Sequence, residues 1–230
     1  MTKAPANPIS LRGTQNSAAD RTRAALIHAG LRLFGSQGFG ATSTREIAAV
    51  AKANIGSIAY HFGGKDGLHA ACADYIVETI QAIAGPALAE AATSIKDAES
   101  AQARLSLAIE RMVSFLVASP EAGDIAQFVM RELSQPSAAL DRIYAGVFEP
   151  THRQLCQIWQ QATGEEPDSE AVKITVFTMI GQIVYFRIAR EAVMRRLGWT
   201  GIGAKEAAAI ADIVKSNLDA ILTARKGAKP

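Results

Sequence analysis

Two cysteines and four histidines in 230 residues leave little for metal or thiol chemistry to use. Cys72 and Cys156 stand far apart without metal-ligand spacing, which excludes a zinc staple and reads as small buried hydrophobes in a reducing cytoplasm. His28, His61, His69 and His152 form neither a zinc motif nor a nucleophile–base arrangement, so no metal, no cofactor and no enzyme is expected. A clean apolar run is missing too. The richest stretch, Val172 to Ile188, is broken by Lys173, Gln182 and Arg187, short of the ~20 residues of a membrane helix. The opening MTKAPANPISLRGTQNSAAD has prolines and bases but no apolar segment of a secretory signal. A soluble, cytoplasmic protein without membrane contact is the expectation.

Charge of one sign is scarce as well, at a net +2, but its distribution is uneven. Residues 1–65 hold eight Lys or Arg against two acids, whereas residues 66–230 hold sixteen against twenty. A basic front end on an acidic body directs the first third of the chain toward a polyanion.

Strand patterns are nearly absent, and Ala, Leu, Glu, Gln and Arg recur at helical spacing, so the expected fold class is all-α. A disordered basic arm over 1–16 leads into a helix over 17–37, in which Ile27, Leu31 and Phe34 share a face and which stops at Gly38. Phe39 folds back onto that core. Ser43-Thr44-Arg45-Glu46 is a capping box that opens a helix ending near Ala51. Asn54 is a second N-cap, opening a short helix from Ile55 to about Tyr60. Beyond GGKDG a long helix covers 66–93, bent near Gly85-Pro86. Helices over 98–118, 124–134, 138–163 (interrupted by Pro150), 168–197 and 205–225 complete a fold of about nine helices.

Two short helices joined by a tight turn in a basic three-helix segment describe a helix-turn-helix, whose second helix enters the major groove of duplex DNA. A helix below ~12 residues is marginal alone, so the first braces the second, with Ile47, Ala48, Ala51, Ile55 and Ile58 facing a shared core. The expected domains are the arm at 1–16, a DNA-binding domain at 17–66 and a helical effector-binding and dimerisation domain at 67–230.

The stretch LIHAGLRLFGSQGFGATSTREIAAVAKANIGSIAYHFGGKDGL resembles the DNA-binding domain of the TetR family in many positions at once. The resemblance implies that Thr42 and Thr44 touch phosphate, that Arg45 reaches a base edge or a phosphate, and that Ser57, Tyr60 and His61 approach the backbone around the recognition helix. Lys65 would bind phosphate at the start of the next helix. Hydroxyls, a phenol, a cation and a helix N-terminus are the donors that hold phosphate oxygens.

Two departures accompany it. Lys52 stands where the family usually has a turn glycine, at a cost of about 1 kcal/mol if φ is positive there, recoverable through a phosphate contact. Ala59 stands where the family more often has Tyr, a variant that resembles the CecR-like branch. The recognition helix, Ile55 included, offers few bidentate readers, so discrimination leans on Arg45, thymine-methyl contacts and DNA shape, and Lys52, Asn54 and Ile55 complete the expected DNA-binding set.

FVMRELSQPSAALDRIY and MIGQIVYFRIARE resemble the C-terminal domain of CecR-like regulators, which implies a homodimer and a small-molecule effector. The 168–197 helix is apolar on more than one face and needs two covers, its own core and a partner. Val176, Ile180, Ile183 and Val184 on it, with Ile210, Val214, Leu218 and Ile221 on the last helix, are the expected twofold interface, and Gly181 permits close approach. Phe128, Arg131, Glu132, Trp159, Gln182 and Tyr185 are the effector-pocket candidates, with structural caps or ion pairs as the alternative for Arg131 and Glu132. Met112, Met130 and Met179 read as core. The implied function is a ligand-responsive regulator, a repressor, that binds a twofold-symmetric operator. A helical dimeric adaptor without specific DNA binding is the alternative, and it would lack the salt dependence of counterion release.

Overall fold

The structure, a computed structural model, describes residues 18–89 and 98–226, and its regular elements are all helical. The arm expected over 1–16, and residues 90–93 of the long helix, lie outside the described residues. Four helices form the front of the molecule: α1 (Ala18–Gln37), α2 (Thr44–Val50), α3 (Gly56–Phe62) and α4 (Lys65–Ala89). The body follows as α5 (Ala98–Val113), α6 (Ala122–Ser134), α7 (Ala138–Ile143), α8 (Glu149–Thr163), α9 (Glu170–Ile188), α10 (Arg190–Leu197) and α11 (Ala204–Lys226).

Three of the long helices expected in the body are subdivided. The 98–118 stretch loosens into a π-helical turn at Ser114–Ala118. The 138–163 stretch breaks before Pro150 rather than at it, through a second π-helical turn at Tyr144–Phe148. Pro150 then sits in the first turn of α8, where a missing backbone N–H costs nothing. The 168–197 stretch divides at Ala189, whose φ of −95° and ψ of 23° leave helical geometry.

Two apolar clusters hold the chain together. One joins α5, α8, α9 and α11 around Trp159, Ile183 and Leu218. The other lies under the front end, where Leu26, Leu31 and Phe34 of α1 meet Ile47 of α2, Ile58 of α3 and Leu68, Cys72 and Ile76 of α4. This second cluster does not stop at residue 66, because Ile125 and Phe128 of α6 and Ile143 of α7 belong to it. A Cβ at Gly35 would stand 3.0 Å from the Phe128 backbone nitrogen, so α1 and α6 meet almost backbone to backbone. Burial also pushes the Cys72 thiol up, which keeps it unreactive.

Candidate nucleic-acid interface

The front end presents α2 and α3 across a five-residue turn, residues 51–55, whose local chemistry follows from the sequence. Ser43 and Glu46 form the expected capping box: the Glu46 N–H donates to Ser43 Oγ at 3.2 Å, and the Ser43 N–H donates to Glu46 Oε2 at 2.9 Å. The Ser43 side-chain hydrogen bond, then its backbone N–H, hold the Glu46 carboxyl below the usual range. At the other end of α2 the Lys52 N–H donates to Ala49 O at 3.2 Å and the Ala53 N–H to Ala48 O at 2.9 Å. This is a Schellman-type ending, and Lys52 takes its left-handed position with φ of 52°. Asn54 caps one residue earlier than a regular N-cap, its Oδ1 accepting from the Gly56 N–H at 2.8 Å.

α3 ends at Gly63, also left-handed, and the next helix starts almost on top of it. A Cβ at Gly67 would lie 1.8 Å from the Phe62 carbonyl oxygen, so only glycine lets α4 pass the end of α3. GGKDG marked a helix junction in the sequence, but the role of its last glycine was not visible there. Two cations are steered by aromatic faces: Lys65 Nζ lies 4.3 Å from the Phe39 ring centroid, and the Arg23 guanidinium lies 5.6 Å from that of Phe62.

Most of the expected DNA-facing residues share this surface. Arg45, Lys52, Asn54, Ile55 and Tyr60 are exposed, and Thr44, Ser57, His61 and Lys65 are half-buried. Tyr60 stands out at 82% exposure, its ring edge against His61. Two expectations fail. Thr42 is buried, and its hydroxyl lies 2.8 Å from Gly38 O and 3.2 Å from Leu33 O, so it ties off the end of α1 instead of facing phosphate. Ile55 does not join the shared core; it stands at the N-cap of α3, already in helical φ/ψ, with its side chain 49% exposed.

The effector candidates scatter. Phe128 is buried in the front-end cluster. Arg131 donates to Ser36 O at 2.8 Å and lies 3.4 Å from Gly35 O, capping α1 from the body. Glu132 lies 3.1 Å from His69 Nε2 across the α4–α6 junction, among the rings of Phe34, Phe39 and Phe128. Both side chains are thus engaged within the chain, Arg131 at the end of α1 and Glu132 at His69. Gln182 accepts from Asn217 at 2.8 Å, and Tyr185 is exposed. Trp159 alone of these lines the apolar cavity between α5, α8, α9 and α11.

The expected interface residues are corrected in a regular way. Val176, Ile183, Ile210, Val214 and Leu218 are buried inside this one chain, and Ile180, Val184 and Ile221 are half-buried. The apolar stripe left open on α9 is Ile174, Phe177, Tyr185 and Ile188, with Gly181 at its middle and Ile213 of α11 beside it. α9 is long and apolar enough, by length and composition alone, to cross a membrane, contrary to the sequence expectation. The helix divides into a core face, with Val172, Val176, Met179 and Ile183 buried, and an open face of large apolar residues.

Residues 26–72 match the family of bacterial regulatory proteins of the tetR type, and residues 101–225 match the C-terminal domain of the HTH-type transcriptional dual regulator CecR. The HTH-type transcriptional dual regulator CecR of Shigella flexneri is 31% identical over 206 residues, spanning 88% of this chain and 92% of that protein. Among solved structures, SCO4454, a TetR-family transcriptional regulator from Streptomyces coelicolor, superposes with a TM-score of 0.64 at 14% identity over 90% of each chain. AibR, solved with isovaleryl coenzyme A and operator DNA, superposes with a TM-score of 0.62 at 18% identity over 86% of this chain and 97% of AibR.

Proposed function

The chain belongs to the TetR family of transcriptional regulators, in the branch with a CecR-type C-terminal domain, and from that premise we propose that it is a ligand-responsive repressor that binds a twofold-symmetric operator as a homodimer. The observation that carries the reading is the α2–α3 surface, where Arg45, Tyr60 and His61 lie with Lys52 of the turn and Lys65 of α4, and Glu46, tied into the capping box, is the one acid on the two helices. Their donors match phosphate oxygens, and the exposed residues of the α3 start, Ile55, Gly56 and Ala59, suit methyl contacts and shape more than bidentate base pairing. Thr42 drops out of the contact set, and Gly67, outside that set, positions α3 against α4.

The homodimer follows from the open α9 face. Ile174, Phe177, Gly181, Tyr185 and Ile188 on α9, with Ile213 on α11, would form a four-helix contact with a second copy. Two recognition helices would then meet successive major grooves, ~34 Å apart. A dimer that covers α9 fits a cytoplasmic protein better than a spanning helix. We assign no catalytic role, since the relatives are regulators. Among the described residues no three His, Cys, Asp or Glu side chains gather as a metal site.

Genomic DNA fragments selected by the purified protein at about 0.15 M salt, then footprinted, test the reading. A twofold-symmetric site upstream of a transcription unit, lost with Tyr60→Ala, is expected, with reduced transcription of the downstream gene when protein is bound. Sequence-blind binding, or affinity that does not fall with salt, would overturn it.

A further inference from the structure

We propose that the effector is a small, uncharged, largely hydrocarbon molecule held in the cavity between α5, α8, α9 and α11, an inference that rests on the ligand-responsive reading above. The space between these walls is narrow, well below the ~300–1,000 Å³ of ligand pockets, so a ligand enters only by parting the side chains. Its deep walls include Leu105, Ile109, Trp159, Val176, Met179 and Ile183, all buried. Half-buried Ala108, Met112 and Ile180 mark its open side. Every residue lining it is apolar.

That lining decides the ligand's charge. A carboxylate, phosphate or ammonium entering here would lose its hydration and find neither donor nor counter-charge. Two polar side chains beside the cavity, Trp159 and Gln182, are already engaged. Trp159 Nε1 donates to Glu165 Oε2 at 2.8 Å, and Glu165 is held in turn by Arg225 at 2.8 Å, so the indole offers the cavity hydrocarbon only. Gln182 is occupied by Asn217 and by the Met179 sulfur, 3.3 Å away.

The lining also decides the ligand's shape. Only ≈ 40 Å³ of the space is wide enough for the centre of a water molecule, so the cavity is a slot. Water placed there would lack the two to four polar partners that hold buried water, and the slot stays dry. Met112 and Met179, unbranched thioethers on facing helices, can re-pack around a slender chain where branched side chains could not. A narrow, dry, compliant slot fits an aliphatic alcohol, ester or similar neutral molecule.

The test uses 1-decanol and decanoate, which share a chain and differ in charge at about pH 8. In the full-length Trp199→Phe variant Trp159 is the sole tryptophan, and its emission reports binding directly. Decanol is expected to change that emission saturably, with decanoate about tenfold or more weaker. Ala108→Leu and Ile180→Phe, each added separately at the half-buried side to spare the deep core, are expected to weaken decanol about tenfold, with melting temperatures confirming the fold. Decanoate binding as tightly as decanol, no saturable decanol binding, or undiminished binding in every folded filling variant would each overturn the proposal. Decanol that binds as expected but leaves affinity for the footprinted site unchanged would uphold the cavity assignment and remove the ligand response from the proposed function.

Discussion

Replacing Lys52 by glycine separates two effects that one residue carries in opposite directions. Lys52 is the one non-glycine residue with positive φ among the described residues, at 52°, and it closes α2 through the two hydrogen bonds of the Schellman-type ending. A Cβ held left-handed costs about 1–2 kcal/mol. Glycine removes that cost but gives the unfolded chain more freedom, offsetting about 0.4–1 kcal/mol of it. Lys52→Gly should therefore stabilise by about 0.5–1 kcal/mol, a rise in Tm of about 1–4 °C for a chain of this size. DNA affinity should move the other way. One lost phosphate contact reduces the slope of log K against log salt by about 0.9 and weakens binding uniformly across sequences. Thermal melting by circular dichroism and fluorescence anisotropy over a salt series read the two effects separately. A Tm that falls would refute the strain argument. A salt slope that does not change would remove Lys52 from the phosphate contacts.

Gly67→Ala should destabilise the front end although alanine is the better helix former by about 1 kcal/mol, because its Cβ would stand 1.8 Å from the Phe62 carbonyl oxygen and no rotamer relieves that. DNA affinity should fall with it, and a Tm above that of the parent would sink the claim. Phe177 and Tyr185 are each 60% exposed, so Phe177→Asp with Tyr185→Asp should leave the helical circular dichroism intact while sedimentation at micromolar protein shows monomers; a persisting dimer would place the interface elsewhere. His69 has its pKa lowered, first by burial, against the opposing pull of Glu132 and Asp66. A base depressed in the fold lets the unfolded chain take the proton first, so stability is lost as pH falls below about 6.5 toward the folded value. Urea midpoints at about pH 7.5 and 5.5 should differ by less in His69→Asn than in the parent, and an equal difference would assign the acid sensitivity to other groups.

What the sequence made legible was local. The capping box, the turn at Lys52, the all-helical class and the Tyr60–His61 surface depend on residues within a few positions of one another, where spacing and side-chain chemistry are sufficient. What it concealed was which side of an element faces what. α9 carries apolar residues around its circumference, so periodicity cannot say which stripe meets α5 and α8 and which is left open. The expected interface at Val176 and Ile183 is the internal face for that reason. Thr42 was misread because a hydroxyl before a helix serves a phosphate or a carbonyl equally well, and the carbonyls belong to α1, several residues upstream. Gly67 went unrecognised because a helical glycine declares itself only when the neighbouring backbone is in place. Arg131 could be a ligand contact or a cap until α6 was set against α1.

The contact between α6 and α1 bears on how a body ligand could reach DNA. The front end does not hang from the body on a linker: Phe128 and Ile125 complete its core, and Arg131 satisfies carbonyls at the end of α1. α6 is in turn held by α9. A Cβ at Gly123 would lie 2.3 Å from Arg187 Nη2, so the guanidinium is laid directly over the α6 backbone. Arg187 stands one helical turn beyond Ile183, which lines the apolar slot. A ligand that widened the slot would displace one of α5, α8, α9 and α11, and under the proposed function a shift at α9 would pass to α6, then to α1 and α3. Because α1, α2 and α3 share one close-packed cluster, they would move as a unit rather than deform, which converts a small displacement in the body into a change in the spacing of two recognition helices in a dimer. The size of the proposed response is bounded by the ligand's preference for the widened slot over the closed one, so a tightly bound ligand without that preference would leave the operator occupied.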